Sequence, residues 1–286
     1  MLKPAAAILT SVLLCCLATN LLAQLDHSLP PPEQAAAGQA LAQKWRDSVP
    51  AESAEYKGAL KIRRSEAQTE TVPIIFRIII GQPSWQTIYE AAPTAKLPGQ
   101  KLIIIHTPGK PNQYLFASGS KPGDPAGQPA PLTNDRAAKP FAGSDFWLSD
   151  LGLEFFHWPT QRLLKTEMRA GQVTKVLESV NPNAEGGRRN AESSTPHSAL
   201  GTPNSAESAL RTPRSEFAYS RVVTWLEKES GAPILAEAYD RNDKLLKQFS
   251  IKHVKKVKGH YQLQEMQIRN AKDNSRTRIE YEFEKE

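Results

Sequence analysis

The sequence predicts a mainly β, α+β fold, and three observations predict it. Short apolar runs broken by Gly and Pro clusters fill residues 56–118. A second series of alternating segments runs through 161–180 and 219–285. Only residues 33–48 carry a helical pattern ahead of the strands. Period-two runs of Val, Ile, Tyr, Phe and Thr between turn residues are the pattern of strands joined by hairpins.

The elements follow in order. EQAAAGQALAQKWRDS (33–48) is Ala-rich with Leu41 and Trp45 four apart, and prolines at 30–32 and 50 mark its ends. YKGALKIRR, VPIIFRIII, SWQTIYEA, KLIIIHT and QYLFAS read as strands separated by IGQPS, LPGQ and TPGKPN. IIFRIII is apolar on both faces, which predicts that both are covered. Residues 119–143 show no periodicity and read as a Pro/Gly-rich surface connection. RLLKTEMRAGQVTKVLESV reads as a hairpin turning near Ala170 and Gly171. A meander follows in YSRVVTWLEK, APILAEAY, KLLKQFSIKHV, YQLQEMQIRN and SRTRIEYEFEK. In its last strand Ile279, Tyr281 and Phe283 point inward and Glu280, Glu282 and Glu284 outward.

Residues 1–23 read as a cleaved signal peptide: Lys3 is the only charge, an apolar run follows, and Ala23 is a small residue at the expected cut. Pro4, Thr10, Thr19 and Asn20 interrupt the run, a poor pattern for a permanent span. Both cysteines, Cys15 and Cys16, fall inside this segment, so residues 24–286 have no disulfide, thiol nucleophile or thiolate metal site. Lipidation of a cysteine wants a small residue before it, whereas Leu14 precedes Cys15 and Cys15 precedes Cys16. The expectation is an exported, periplasmic chain folded as a single domain over 24–286.

Within that domain, residues 181–216 break the pattern. They hold no aromatic, Val, Ile or Met, and carry a degenerate repeat, TPHSAL, TPNSAESAL and TPRSE. Such a stretch cannot bury enough apolar surface to offset its ordering entropy, so a disordered low-complexity insertion is expected.

FAGSDFWLSDLGLEFFHWP (141–159) is the richest stretch, mixing six aromatics with Asp145, Asp150, Glu154 and His157. Glu154 and His157 have a metal-ligand spacing, but no second copy occurs, and a strand reading of LEFFHWP puts them on opposite faces. A core or rim histidine is the expectation, with no metal. Asp145 and Asp150 suit either paired acids or turn caps, and the adjoining Ser144 and Ser149 favour caps. No Gly-x-Ser-x-Gly elbow and no phosphate-cradling glycine loop is present. Basic residues exceed acidic ones, 36 against 30, but the excess is local: residues 244–260 hold six lysines and no acid. Lys252, Lys255, Lys256 and Lys258 there are either a solvated strand or an anionic contact patch, and no nucleic-acid partner is expected.

Gly143-Ser144-Asp145-Phe146…Asp150-Leu151, followed by VLESVNP, YSRVVTWLEKESGAP, EAYDRNDKLLK and KKVKGHYQLQEMQIRN in that order, resembles the outer-membrane lipoprotein-sorting proteins of the LolA-like periplasmic carrier superfamily. The resemblance implies a curved, incompletely closed antiparallel β-barrel with short helices covering an apolar cavity for acyl chains. It also implies a non-enzymatic, cofactor-free carrier of a lipoprotein or other lipid toward the outer membrane. An inner-membrane transporter and an outer-membrane acceptor would be its partners, with peripheral membrane contact. The two-faced strands beside the aromatic stretch nominate Ile75, Ile79, Ile104, Phe146, Trp147, Leu151, Phe155 and Trp158 as ligand-binding cavity residues. The alternative on the same fold is an envelope signalling or scaffold module that binds a protein partner through the basic strand.

Deleting 184–214 is expected to leave the melting temperature almost unchanged; a large drop in a thermal melt would show that the insertion packs.

Overall fold

The computed structural model describes residues 31–64, 68–132, 137–182, 219–257 and 260–283. The expected signal peptide and most of the expected insertion lie outside them. Helix α1 (Pro31–Arg46) comes first. Its prolines occupy the first turn, where missing N–H groups cost nothing, and Glu33 at one end and Lys44 and Arg46 at the other complement the helix dipole.

Six strands follow: β1 (Ala54–Arg63), β2 (Thr69–Ile80), β3 (Trp85–Ala91), β4 (Gln100–His106), β5 (Gln113–Ser118) and β6 (Ala130–Leu132). After helix α2 (Leu148–Leu151) and a 3₁₀ turn (Glu154–His157) come β7 (Thr160–Arg169), β8 (Gln172–Val180), β9 (Arg221–Glu227), β10 (Pro233–Tyr239), β11 (Leu245–Val257), β12 (His260–Asn270) and β13 (Arg276–Tyr281).

All thirteen strands form one sheet in the order β6-β5-β4-β3-β2-β1-β13-β12-β11-β10-β9-β8-β7. It is two antiparallel meanders joined where the first strand meets the last, with Leu60 opposite Ile279. β6 and β7 are the two edges and do not pair, so the sheet is not closed into a barrel.

This order has a steric consequence. The edges are consecutive in sequence, so the chain between them must cross the whole sheet. At about 4.8 Å per strand, twelve intervals make a flat sheet roughly 58 Å wide. The crossing segment touches successive strands as it goes. The Ala142 N–H donates to Gln100 Oε1 (2.8 Å) at the start of β4, and Phe141 meets Tyr89 of β3 edge-on. Arg64, just after β1, donates to the Gly143 carbonyl (2.6 Å). Asp145 then engages β13 and Asp150 engages β11. Finally Gln161 of β7 donates to the Phe155 carbonyl (2.9 Å). Tyr114 of β5, far across the sheet, also donates to Glu154 (2.8 Å). One short turn can reach both β5 and β7 only because the sheet curls around it.

The inner face carries the core. Leu60, Ile62, Val72, Ile74, Leu102, Ile104 and Ile279 are almost wholly buried and pack with Phe141, Phe146, Leu148 and Leu151 of the crossing segment. A second cluster joins Phe155 and Phe156 to Ala42 of α1 and to Leu177, Val222, Leu226, Ala236 and Ala238. Helix α1 lies against β7 through Gly38, where an added Cβ would stand 2.6 Å from the Arg162 nitrogen. Trp45 stacks on Phe156 at 5.5 Å. Past the helix end, Asp47 accepts the Gly109 N–H (3.3 Å) from the β4–β5 turn. Helix and 3₁₀ turn therefore lie over the gap that the sheet leaves open.

Three expectations are corrected. Residues 119–143 are not wholly a surface loop: they include β6 and the buried Ala137, Phe141 and Ala142. Glu154–His157 forms a 3₁₀ turn, not a strand, because Leu153 adopts φ 48° and tightens the chain there. The outer side of β2 is not fully covered: Ile75 is half-buried and Ile79 is 44% exposed. The Ala170–Gly171 turn and the inward Ile279 and Tyr281 are as expected. Residues 183–218, between β8 and β9, lie outside the described residues; flanking them, the Asn181 N–H and Nδ2 donate to the Ser220 and Tyr219 carbonyls.

Asp145 is a buried anchor of the crossing segment, 5% exposed and accepting Ser275 Oγ–H (2.5 Å) from just before β13 and Thr277 Oγ1–H (2.8 Å) from β13. Asp145→Ala is expected to cost about 2–3 kcal/mol in urea unfolding, because it strands buried hydroxyls.

Candidate functional site

The site is built from two segments 97 residues apart. In the crossing segment, Ala142 and Gly143 both take positive φ, 49° and 67°, and the Ser144 N–H closes the turn onto the Phe141 carbonyl. That reversal sends Phe146 into the core and delivers Trp147 to the start of α2. Asp150, in the first turn of α2, accepts the Trp147 N–H (2.8 Å) and so caps the helix, as the sequence suggests. Asp145 does not act as a local cap; its carboxylate reaches β13 instead.

The second segment is β11. Its inward residue Lys247 pairs in register with Ala238. Lys247 is 5% exposed, and its Nζ donates to Asp150 Oδ2 at 3.1 Å. The ammonium also stands 3.6 Å from the Trp147 ring centre. Tyr219 completes the group: its hydroxyl donates to Asp150 Oδ1 (2.9 Å) and its ring stacks on Trp147 at 4.6 Å. Burial pushes the Lys247 ammonium below its ordinary range, while the Asp150 carboxylate pulls the other way. Burial, then the same carboxylate, raises the Tyr219 phenol well above its ordinary value.

Beside this pair runs a narrow cleft between the crossing segment and the sheet. Leu153 and Phe155 line one side, with Val222, Pro233, Ala236, Ala238, Phe249 and Ile268 on the other. Its free space is about 30 Å³, well below the ~300–1,000 Å³ of ordinary ligand pockets. β10 contributes Pro233 and two small residues, Ala236 and Ala238, which lie between Thr224 and Phe249 and between Val222 and Lys247.

The eight residues nominated from the sequence separate. Phe155 lines the cleft. Ile104, Phe146 and Leu151 are buried in the neighbouring core cluster, and Trp147 and Trp158 pack around the second one. Ile75 and Ile79 lie on the outer face, alternating with the inward Ile74 and Phe76 and flanking Arg77, which pairs with Glu55 and Glu90. They are no part of the cleft wall. The residues that sequence reasoning missed are the two alanines, Tyr219 and Lys247. In the sequence Lys247 is one of the six lysines of the basic run 244–260. Of the proposed anionic patch, Lys252 is exposed and Lys255 is half-buried, 5.8 Å from the Phe283 ring; the side chains of Lys256 and Lys258 lie outside the described residues.

The 3₁₀ turn changes the reading of Glu154 and His157, since a spacing of three places side chains on one side. Burial raises the Glu154 carboxyl, which accepts the Tyr114 hydroxyl. Burial, then Arg46, lowers His157 to about 4. His106, stacked on Trp85 at 3.9 Å, is lowered to about 4 by its burial. These groups join the turn to β4, β5 and the end of α1. Among the described residues, no group of three His, Cys, Asp or Glu is placed to hold a metal ion.

Lys247→Met is expected to destabilise the fold by about 3–5 kcal/mol, because the Asp150 carboxylate is left buried without its cation. Adding Asp150→Asn should recover most of that loss; urea unfolding of the three proteins measures it.

No curated protein matches the sequence significantly. A family model described only as an uncharacterized protein matches residues 205–285. Among solved structures, a DUF1329 family protein from Desulfovibrio piger is 16% identical with a TM-score of 0.61, covering 87% of this chain and 91% of that one. A putative outer membrane lipoprotein-sorting protein domain from Vibrio parahaemolyticus is 16% identical with a TM-score of 0.60, covering 87% and 92%. A LolA superfamily protein from Nitrosomonas europaea is 14% identical with a TM-score of 0.47, covering 87% and 92%. At these identities the likeness is one of fold: the chain has the architecture of the Desulfovibrio and Vibrio proteins, as the sequence resemblance implied.

Proposed function

We propose that this chain is a non-enzymatic carrier of the cell envelope, holding the acyl chains of a lipoprotein or another lipid between the crossing segment and the sheet. The observation that carries the reading is the cleft over Ala236 and Ala238, an apolar trough in the inner face roofed by Leu153 and Phe155. The fold shared with the Vibrio lipoprotein-sorting domain supports it. The signal-like residues 1–23 support export and so a periplasmic location, from which cargo would move toward the outer membrane.

Such a carrier needs no chemistry at the site. Asp145 and Asp150, the two acids that a hydrolase would require, are instead bonded to β13 and to Lys247. Each methylene buried in the trough would contribute about 0.8 kcal/mol at best. A chain of a dozen carbons then binds firmly without charge recognition. Entry requires the roof to lift, and two features bear on that. The 3₁₀ turn begins at Leu153 in the left-handed region, which costs a non-glycine residue about 1–2 kcal/mol. α1 is joined to the rest of the chain by packing and a few hydrogen bonds such as Trp45 Nε1–H to the Gly231 carbonyl (2.8 Å). Release toward a membrane acceptor follows when that acceptor offers the acyl chains a better site.

The protein purified from its native envelope fraction is expected to carry acyl species visible by native mass spectrometry, and after delipidation to bind a fluorescent fatty-acyl probe. A chain that arrives empty and ignores the probe would overturn the carrier reading.

A further inference from the structure

The cleft described above has a polar wall whose chemistry selects among acyl ligands. We propose that Lys247 donates a hydrogen bond to an uncharged carbonyl oxygen, an ester or amide, of an acylated ligand whose chain lies along Ala236 and Ala238. This rests on the carrier reading and adds the class of headgroup.

The donor count comes first. An ammonium carries three N–H donors. Among the described residues Lys247 makes one hydrogen bond, to Asp150, while its remaining contacts are the ring faces of Trp147 at 3.6 Å and Tyr219 at 5.5 Å. A side chain this buried, lining a cleft, has donor capacity for an oxygen that enters it.

The charge count decides which oxygen. Lys247 and Asp150 neutralise each other, and Asp150 already accepts from Lys247, Tyr219 and the Trp147 N–H. Asp145 and Asp273 add further negative potential at the ammonium. A free carboxylate or phosphate arriving here would bring an uncompensated negative charge into a nearly dry site beside Asp150, an arrangement that burial penalises heavily. An ester or amide carbonyl brings an acceptor and no charge. A plain hydrocarbon leaves the donor unmet. The wall therefore favours acyl chains joined through a neutral linkage, as in glycerolipids and N-acylated or diacylglyceryl-modified peptides, over free fatty acids.

The test compares two ligands of equal chain length, monododecanoylglycerol and dodecanoate, at pH 7.5 below their micellar concentrations, by displacement of a fluorescent acyl probe from delipidated full-length mature protein. The neutral ester is expected to bind at least about tenfold more tightly. Lys247→Met alone leaves Asp150 uncompensated, so the informative variant combines it with Asp150→Asn, with its fold checked by circular dichroism. In that double variant the preference should fall to about twofold or less, through weaker ester binding. Equal binding of the two ligands, tighter binding of dodecanoate, or a preference that survives the double substitution overturns the inference and leaves the carrier reading standing. Failure of both ligands to displace a bound probe likewise overturns the inference alone, whereas a delipidated protein that does not bind the probe overturns both.

Discussion

Everything in this molecule depends on a connection that has to cross its own sheet. Because β6 and β7 are consecutive in the chain but lie at opposite edges, the residues between them occupy the inner face, and the sheet curls around them. The crossing is polar where a core would ordinarily be apolar. Asp145 is tied to Ser275 and Thr277, and Asp150 to Lys247 and Tyr219. A buried carboxylate is tolerable only when its oxygens are engaged, and here the partners include residues from the start of β13, from β11 and from the chain just before β9. Each bond therefore fixes the position of the segment along the sheet, which an aliphatic contact would leave free to slide.

That fixation divides the interior. On one side of α2 the aromatic and aliphatic side chains interlock into a closed core around Phe146, Leu148 and Ile104. On the other, β10 supplies Pro233 and two alanines, and the filling comes from Leu153 and Phe155 at the start of the 3₁₀ turn. The first side gives the protein its rigidity. The second is filled by residues that belong to a short turn and not to the sheet, so it is the side that can be emptied. Lys247 stands at the boundary, touching the rigid strap with its charge and the open side with its spare donors.

Much of the architecture is legible in the sequence. Period-two runs between Gly and Pro clusters locate nearly every strand within a few residues, and Ala170-Gly171 marks its hairpin because both residues take positive φ. The Gly-Ser-Asp-Phe…Asp-Leu pattern is also legible as a unit, and the structure explains each of its members. What escaped is what depends on distant partners. EFFH satisfies strand and 3₁₀ patterns alike, and Tyr114, 40 residues earlier in the chain, helps to decide between them. Lys247 looks like one more lysine in a basic run, since its burial depends on an aspartate 97 residues earlier. The alanines of β10 carry no signal at all: a trough is made by what a side chain lacks. Ile75 and Ile79 misled for the opposite reason, since an apolar residue on a strand does not say which face is covered.

The seam between β1 and β13 has a bearing on how the chain is made. These strands pair across more than 200 residues of sequence, so the bond that unites the two meanders carries a large loop-closure cost and forms late. Until it forms, β1 and β13 each present an unpaired edge, the kind of surface on which other chains add strands. The final segment is therefore the fastener of the whole sheet. Trimming it would expose two interior edges at once and also remove the hydroxyls that hold Asp145, turning one curled sheet into two open ones.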